Sequence, residues 1–255
     1  MSFLPRSMLF LMALLAAAVA ASPMFAADAP SDPMPKDRAG LDAYLHDFIV
    51  RNPHLLREAL LKLDREEQVE NTKRVLRELK GDLYHAGSPE IGAPTAKVKI
   101  VVFYDYNCPY CRATNPTLAA FLKANPDTTL VLKDVASFGE DSEAVARIAL
   151  AANLQGKFEP LHEALMAQKG KSTEARALEA AAKIGLDVGR LKKDAASPAV
   201  ADLLKRNRDL ANRLNASMTP FFIIAYNGIS GAPEDLVKQL TEYVGEVRKA
   251  GCDVC

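Results

Sequence analysis

Residues 98–104, Val-Lys-Ile-Val-Val-Phe-Tyr, lead an apolar, β-branched run almost directly into Cys108-Pro109-Tyr110-Cys111. The run reads as a buried strand. Helical spacing follows over 109–124, with Pro109 at the first helical position, where its fixed φ and missing N–H cost nothing. Residues 128–134 (TTLVLKD) form a second strand pattern. A strand, a helical crossover and a strand imply parallel pairing. This unit constrains the fold more than any other feature: the chain is α/β, with two cysteines at a strand–helix junction.

That junction has chemical consequences. Cys108 becomes the N-cap residue of a helix, so free backbone N–H groups and the positive dipole end point at its sulfur. Both favour the thiolate and lower the thiol pKa below ~8.5. Thiolates attack disulfides, and low-pKa thiolates leave well. Cys111, one turn inward, is read as the buried resolving thiol and Cys108 as the exposed nucleophile. A static disulfide and half of a metal site are the blander readings. Zinc motifs place two Cys-x-x-Cys units ~15–20 residues apart. Here the second pair, Cys252 and Cys255, lies at the far end of the chain. Thiol redox chemistry is therefore preferred, with no cofactor beyond a Cys108–Cys111 disulfide and no metal site assigned.

Around this unit the chain divides. Residues 1–27 carry Arg6, then an almost wholly apolar stretch to Ala21, then small residues. That order predicts a secretory signal peptide and a periplasmic location. The apolar run falls short of the ~20 residues a membrane span needs. Residues 28–80 form a helical arm, with Leu41, Leu45, Phe48 and Ile49 on one face and Leu56, Leu60 and Leu63 on another. Such a face is buried against its own domain or against a copy of the chain, and a homo-oligomer through residues 38–80 is expected. Gly- and Pro-containing residues 81–94 are read as a linker, 95–250 as the catalytic domain and 251–255 as a tail. Within the domain, residues 139–215 are rich in Ala, Leu, Lys and Glu, with breaks at Gly156, Gly170, Gly185 and Pro198. They predict a helical insertion. A strand at 221–226, a turn at Asn227-Gly228 and a helix from Pro233 to Lys249 close the domain.

Composition supplies exclusions. Lys and Arg number 32, as do Asp and Glu, so no basic stripe points to nucleic acid. With residues 1–27 removed, about 230 residues remain, enough for a core without disulfide staples at ~100–200 residues per domain. His46, His54, His85 and His162 lack ligand spacing and read as solvent-facing or capping residues.

The segment Phe103-Tyr104-Asp105-Tyr106-Asn107-Cys108-Pro109-Tyr110-Cys111, with Thr219-Pro220 downstream and a helical insertion between, resembles the DsbA-like branch of the thioredoxin superfamily. The resemblance covers roughly residues 88–249. It implies a thioredoxin fold with a helical insertion, plus the N-terminal α-helical arm. It also implies that Pro220 is cis against the cysteines and that Thr219 offers backbone groups to an extended client, like an added strand. The arm with Asn52-Pro53-His54 ahead of a Cys-Pro-Tyr-Cys domain is similar to ScsC-type proteins. That likeness implies disulfide shuffling or reduction, oligomerisation through the arm and a link to copper tolerance.

Some residues depart from the pattern. Thioredoxin-like proteins often bury an acid six positions before the first cysteine; here Val102 stands there. Asp105 either takes over proton handling or caps the loop. Tyr110 replaces the histidine of the branch's best-known oxidase, which implies a less stabilised thiolate. Cys252 and Cys255 form an inert bridge, a mobile relay or a soft-metal site; reduced thiolates suit copper(I). The expected function is an exported thiol–disulfide oxidoreductase, isomerase or reductase rather than strong oxidase. Its partners are exported proteins with thiols or disulfides and a membrane redox partner that resets the cysteines. The alternatives are a DsbA-type oxidase within the class, and outside it a copper(I)-binding or client-holding module.

Overall fold

The computed structural model describes residues 35–93, 95–216 and 218–255; the signal-peptide reading of 1–27 lies outside them. Two compact units divide at residues 62 and 63. In the first, helix α1 (Arg38–Arg51) starts where the Asp37 side chain accepts from the Gly40 N–H at 2.8 Å, as an N-cap does. It stops at Asn52, whose side chain donates to the Phe48 carbonyl, and Pro53 opens the next helix, α2 (Pro53–Glu78). Leu45, Ile49, Leu56, Leu60 and Leu63 are all exposed.

The second unit is built on a five-stranded sheet in the order β1-β3-β2-β4-β5. Its strands are β1 (Glu90–Gly92), β2 (Val98–Tyr104), β3 (Thr128–Asp134), β4 (Phe221–Ile224) and β5 (Asn227–Ser230). β2 and β3 are parallel, from Val98 opposite Thr128 to Tyr104 opposite Asp134. β4 runs antiparallel to β2, and β5 to β4. Every residue of β3 is buried and nearly every one of β2, so both faces are covered, as their apolar runs require.

Period-two alternation sorts the side chains. Ile100, Val102, Tyr104, Leu130, Leu132, Phe222 and Ile224 join the core shared with helix α4 (Pro109–Ala124), the helical insertion and helix α10 (Leu236–Ala250). Val101, Phe103, Val131 and Ile223 pack on the other face. There they meet Leu76 from the end of α2, Leu79 at the cap of the short helix α3 (Lys80–Leu83), Leu83 within it, and Leu210 and Ala211 of helix α9 (Pro198–Arg213). Leu79 and Leu83 are fully buried, each contributing ~2 kcal/mol of transfer free energy.

The insertion holds α5 (Glu140–Asn153), α6 (Phe158–Met166), α7 (Glu174–Lys183), α8 (Val188–Ala195) and α9. Gly156, Gly170 and Gly185 adopt positive φ at the breaks. Thr173, Asp187 and Ser197 accept from backbone N–H groups as caps.

Two sequence expectations change. Residues 81–94 are more than a linker: they contain most of α3 and all of β1, which pairs antiparallel with β3. Three residues are too short a strand to show an alternating pattern. Fully buried Lys133 secures the segment, its ammonium donating to the Asp82 carbonyl at 2.6 Å and to Ser88 Oγ at 2.7 Å. Burial pushes that ammonium down to about 8. The hairpin turn is Ala225-Tyr226 rather than Asn227-Gly228, since Ile224 already pairs with Asn227. Ala225 takes the positive φ, and the Tyr226 hydroxyl is held by Asp253, 2.7 Å away.

Candidate active site

Cys108 ends the loop after β2 and is the N-cap residue of α4. Asp105 builds that loop. Its Oδ1 accepts from the Asn107 N–H at 2.7 Å and the Ser142 hydroxyl at 2.8 Å, and its Oδ2 from the Phe138 N–H at 3.1 Å. The carboxylate is fully buried and engaged on both oxygens, so of its two readings the loop-capping one describes its contacts. The thiols of Cys108 and Cys111 are free. Cys108 Sγ donates to the Thr219 carbonyl at 3.2 Å, and the Thr219–Pro220 peptide is cis. Cys111 and Pro220 line one small cavity. The structure thus brings Asp105, Cys108, Pro109, Tyr110, Cys111, Thr219 and Pro220 to one place.

The electrostatics split the two sulfurs. The Cys108 thiol is lowered to about 5, mainly by the hydrogen bond from Cys111, then by the Thr219 side chain and the backbone N–H groups of Cys111 and Tyr110. Burial opposes this in part. Cys111 is pushed up, first by its hydrogen bond with Cys108 and then by burial. One sulfur is a nucleophile and leaving group at neutral pH; the other stays a thiol until called on.

Cys108 is not the exposed residue its helix-end position suggests. It is 1% exposed, because the Thr219 strand entry and the Asp105 loop close over it. Tyr110 beside it in the chain, Met218 before Thr219, and Phe138, whose N–H Asp105 accepts from, are exposed instead, at 64%, 61% and 49%.

The second cysteine pair lies elsewhere. Cys252 and Cys255 form a disulfide, and the tail is docked rather than swinging. Val254 is fully buried, Asp253 meets Arg77 and the Tyr226 hydroxyl, and the Lys80 ammonium donates to the Asp253 carbonyl at 3.0 Å. Arg248, four residues before Cys252, binds Asp127 and Asn125 beyond the far end of α4. That helix of 16 residues puts roughly 24 Å between Cys108 and that pole. So docked, the tail lies toward the pole away from Cys108. Among the described residues, no cluster of three or more His, Cys, Asp or Glu is arranged to hold a metal.

Sequence reasoning passed over three residues. Arg112 donates to the Tyr106, Gln168 and Gly170 carbonyls and to Ser172 Oγ. It ties the cysteine loop to the insertion, and the Cys108 charge bears on it. A cation one turn after an N-cap cysteine is a signal the sequence did carry. His162 is not incidental. It is 2% exposed, sits against Tyr104, Tyr106 and Phe158, and lines the Cys111 cavity. Asp134 is a buried acid on the Tyr104 face, raised by burial, with Oδ2 unpartnered. No local pattern marks either of these two.

The comparisons agree with this geometry. The DSBA-like thioredoxin domain matches residues 99–244, more than half of the chain. A thioredoxin-like oxidoreductase from Silicibacter pomeroyi DSS-3 superposes with a TM-score of 0.62 at 35% identity, covering 67% of this chain and 98% of that one. Proteus mirabilis ScsC in a compact conformation gives a TM-score of 0.62 at 28% identity over 84% of this chain and 98% of its own. Among curated proteins, the Na(+)/H(+) antiporter NhaA 3 of Salinispora tropica is 28% identical over 138 residues, 52% of this chain. The chain spans about a fifth of the length of that relative, 21%. On the matched domain and the cysteine geometry together, the chain belongs to the DSBA-like thioredoxin domain family.

Proposed function

We propose that this chain works outside the cytosol as a thiol–disulfide oxidoreductase on protein clients, as isomerase or reductase rather than strong oxidase. The observation that carries this reading is the pairing of a low-pKa Cys108 thiol, held against the Thr219 carbonyl, with a buried, high-pKa Cys111. The Cys108 thiolate attacks a client disulfide. One client sulfur leaves with the electron pair, and Cys108 holds the other in a mixed disulfide. A client thiolate then attacks to isomerise. In reduction, Cys111 attacks Cys108 Sγ instead, the second client sulfur leaves with the electrons, and Cys108–Cys111 is left oxidised. A dithiol partner at the membrane returns two electrons to the pair.

The direction rests on Tyr110. It is exposed and uncharged where a histidine would add a positive neighbour, so the thiolate lacks one stabilising contact. A less stable reduced form makes a weaker oxidant. The apolar rim of Tyr110, Phe138 and Met218 suits unfolded clients, which expose apolar surface. The signal-peptide pattern of 1–27 supports export, and the exposed leucines of α1 and α2 support self-association.

A Cys111→Ser variant tests the reading, since it cannot resolve through Cys111. Covalent adducts through Cys108 in a periplasmic extract, absent in Cys108→Ala, are expected. Recovery of a scrambled disulfide protein by the wild type, outpacing its oxidation of reduced peptides, is the second expected result. Copper(I) bound stoichiometrically by Cys108→Ala, with no adducts in Cys111→Ser, favours the binding-module reading instead.

A further inference from the structure

A cavity of about 10 Å³ beside Cys111 is lined by that residue and by Tyr104, Asn115, His162 and Pro220, among others. It has room for about one water. From it a run of hydrogen bonds leads to the surface. The Tyr104 hydroxyl donates to that of Tyr106 at 3.3 Å, Tyr106 Oη lies 3.0 Å from His162 Nδ1, and His162 Nε2 lies 3.1 Å from Asn115 Oδ1. The run ends where Asn115 Nδ2 donates to Glu163 Oε2 at 2.9 Å.

The direction of every proton follows from its outer end. Glu163 Oε2 accepts from Asn115 Nδ2, which turns the amide nitrogen of Asn115 toward the carboxyl group. The amide oxygen then faces His162 and must receive a proton from Nε2. Burial keeps the imidazole neutral, down to about 3, so with Nε2 protonated, Nδ1 has only a lone pair. Tyr106 must donate to it, and the Tyr106 oxygen must accept from Tyr104. Tyr104 thereby spends its one proton inside the run and has only lone pairs left for the cavity.

We propose that His162 is a positioning residue for Cys111: with Asn115 and Glu163 it polarises Tyr106 and Tyr104 away from the cavity, so Tyr104 turns only lone pairs toward the space that Cys111 lines and has no proton to give its thiolate. Cys111 then stays protonated while Cys108 holds a client, and the mixed disulfide lasts long enough for client sulfurs to rearrange. This inference rests on the thiol–disulfide reading above. The other acids near the run are Asp105 and Asp134. Asp105 is saturated by its loop, and Asp134 makes no hydrogen bond to the run.

The test uses the full chain with glutathione as a mixed disulfide on Cys108, followed by release of glutathione as Cys111 attacks. Release is proportional to the Cys111 thiolate fraction below its pKa. Glu163→Gln removes the anchoring carboxylate at an exposed site and frees Asn115 to turn over, letting every proton reverse. Tyr106→Phe removes the acceptor of Tyr104, whose hydroxyl is then free to donate to the Cys111 sulfur. Each variant is expected to release glutathione about tenfold faster at pH 7, with its pH profile displaced about one unit to lower pH. The alkylation midpoint of Cys108 is expected to stay put, which a general loosening would not leave unmoved. Wild-type rate and pH profile in both folded variants overturn the inference. Failure of glutathione to attach to Cys108 at all overturns the oxidoreductase reading itself.

Discussion

At the scale of single residues, the site works by giving two identical side chains opposite acidities. Cys108 has donors around its sulfur, while Cys111 is held up first by its hydrogen bond with Cys108 and then by burial. Alkylation of reduced protein by iodoacetamide is expected to titrate with a midpoint near pH 5, as the Cys108 value of about 5 requires. A single midpoint above pH 8 contradicts it. Because this folded pKa is depressed below the unfolded value, the thiolate contributes its full stabilisation to the reduced form above about pH 9. The contribution shrinks as pH falls from there and is gone below about pH 5, so the melting point of the reduced form should drop over that window relative to the oxidised form. Arg112→Met removes a cation beside Cys108 and the ties to Tyr106, Gln168, Gly170 and Ser172. The alkylation midpoint should rise, and denaturant unfolding should show a loss of ~2–3 kcal/mol, the scale of losing charged hydrogen bonds.

At the scale of elements, β2 and α4 place Cys108, while β4 brings in Thr219 and Pro220 from more than 100 positions along the chain. The register of β2 against β4, Phe103 opposite Phe221, carries the Thr219 carbonyl to the sulfur. β1 protects the far edge of the sheet. It depends on Gly92, whose φ is +120°; a Cβ there would meet the Thr128 carbonyl oxygen at 2.7 Å. Gly92→Ala is expected to lower the melting temperature by several degrees and raise hydrogen exchange in β1 and the edge of β3, leaving the Cys108 midpoint unchanged. Unaltered exchange at 90–92 refutes that.

At the scale of the whole molecule, the proposed function assigns self-association to the arm and chemistry to the catalytic domain. The arm's leucines are exposed, and replacing Leu56, Leu60 and Leu63 by glutamate is expected to yield a monomer by light scattering, with isomerase activity falling while the Cys108 titration holds. A mass unchanged from the wild type removes the arm from self-association. The tail belongs to this scale too: Asp253 and Val254, enclosed by the Cys252–Cys255 disulfide, join the end of α2 to the Tyr226 turn.

The sequence by itself determined whatever depends on neighbours along the chain. The β2–α4–β3 unit, the helix bounds around Asn52-Pro53, the glycine breaks of the insertion and the placement of Cys108 at a helix start are local matters. Periodicity, capping and proline stereochemistry act over a few residues and are written there. Tertiary structure alone decided the rest. It buried Cys108, saturated Asp105, paired β1 with β3, and docked the tail at the pole opposite the active site. It also gathered Tyr104, Tyr106, Asn115 and His162 around Cys111 from two strand and helix segments about 50 positions apart. Burial and hydrogen-bond partnership are properties of three-dimensional neighbours, and a histidine bears no mark along the chain of whether it will face water or a thiol.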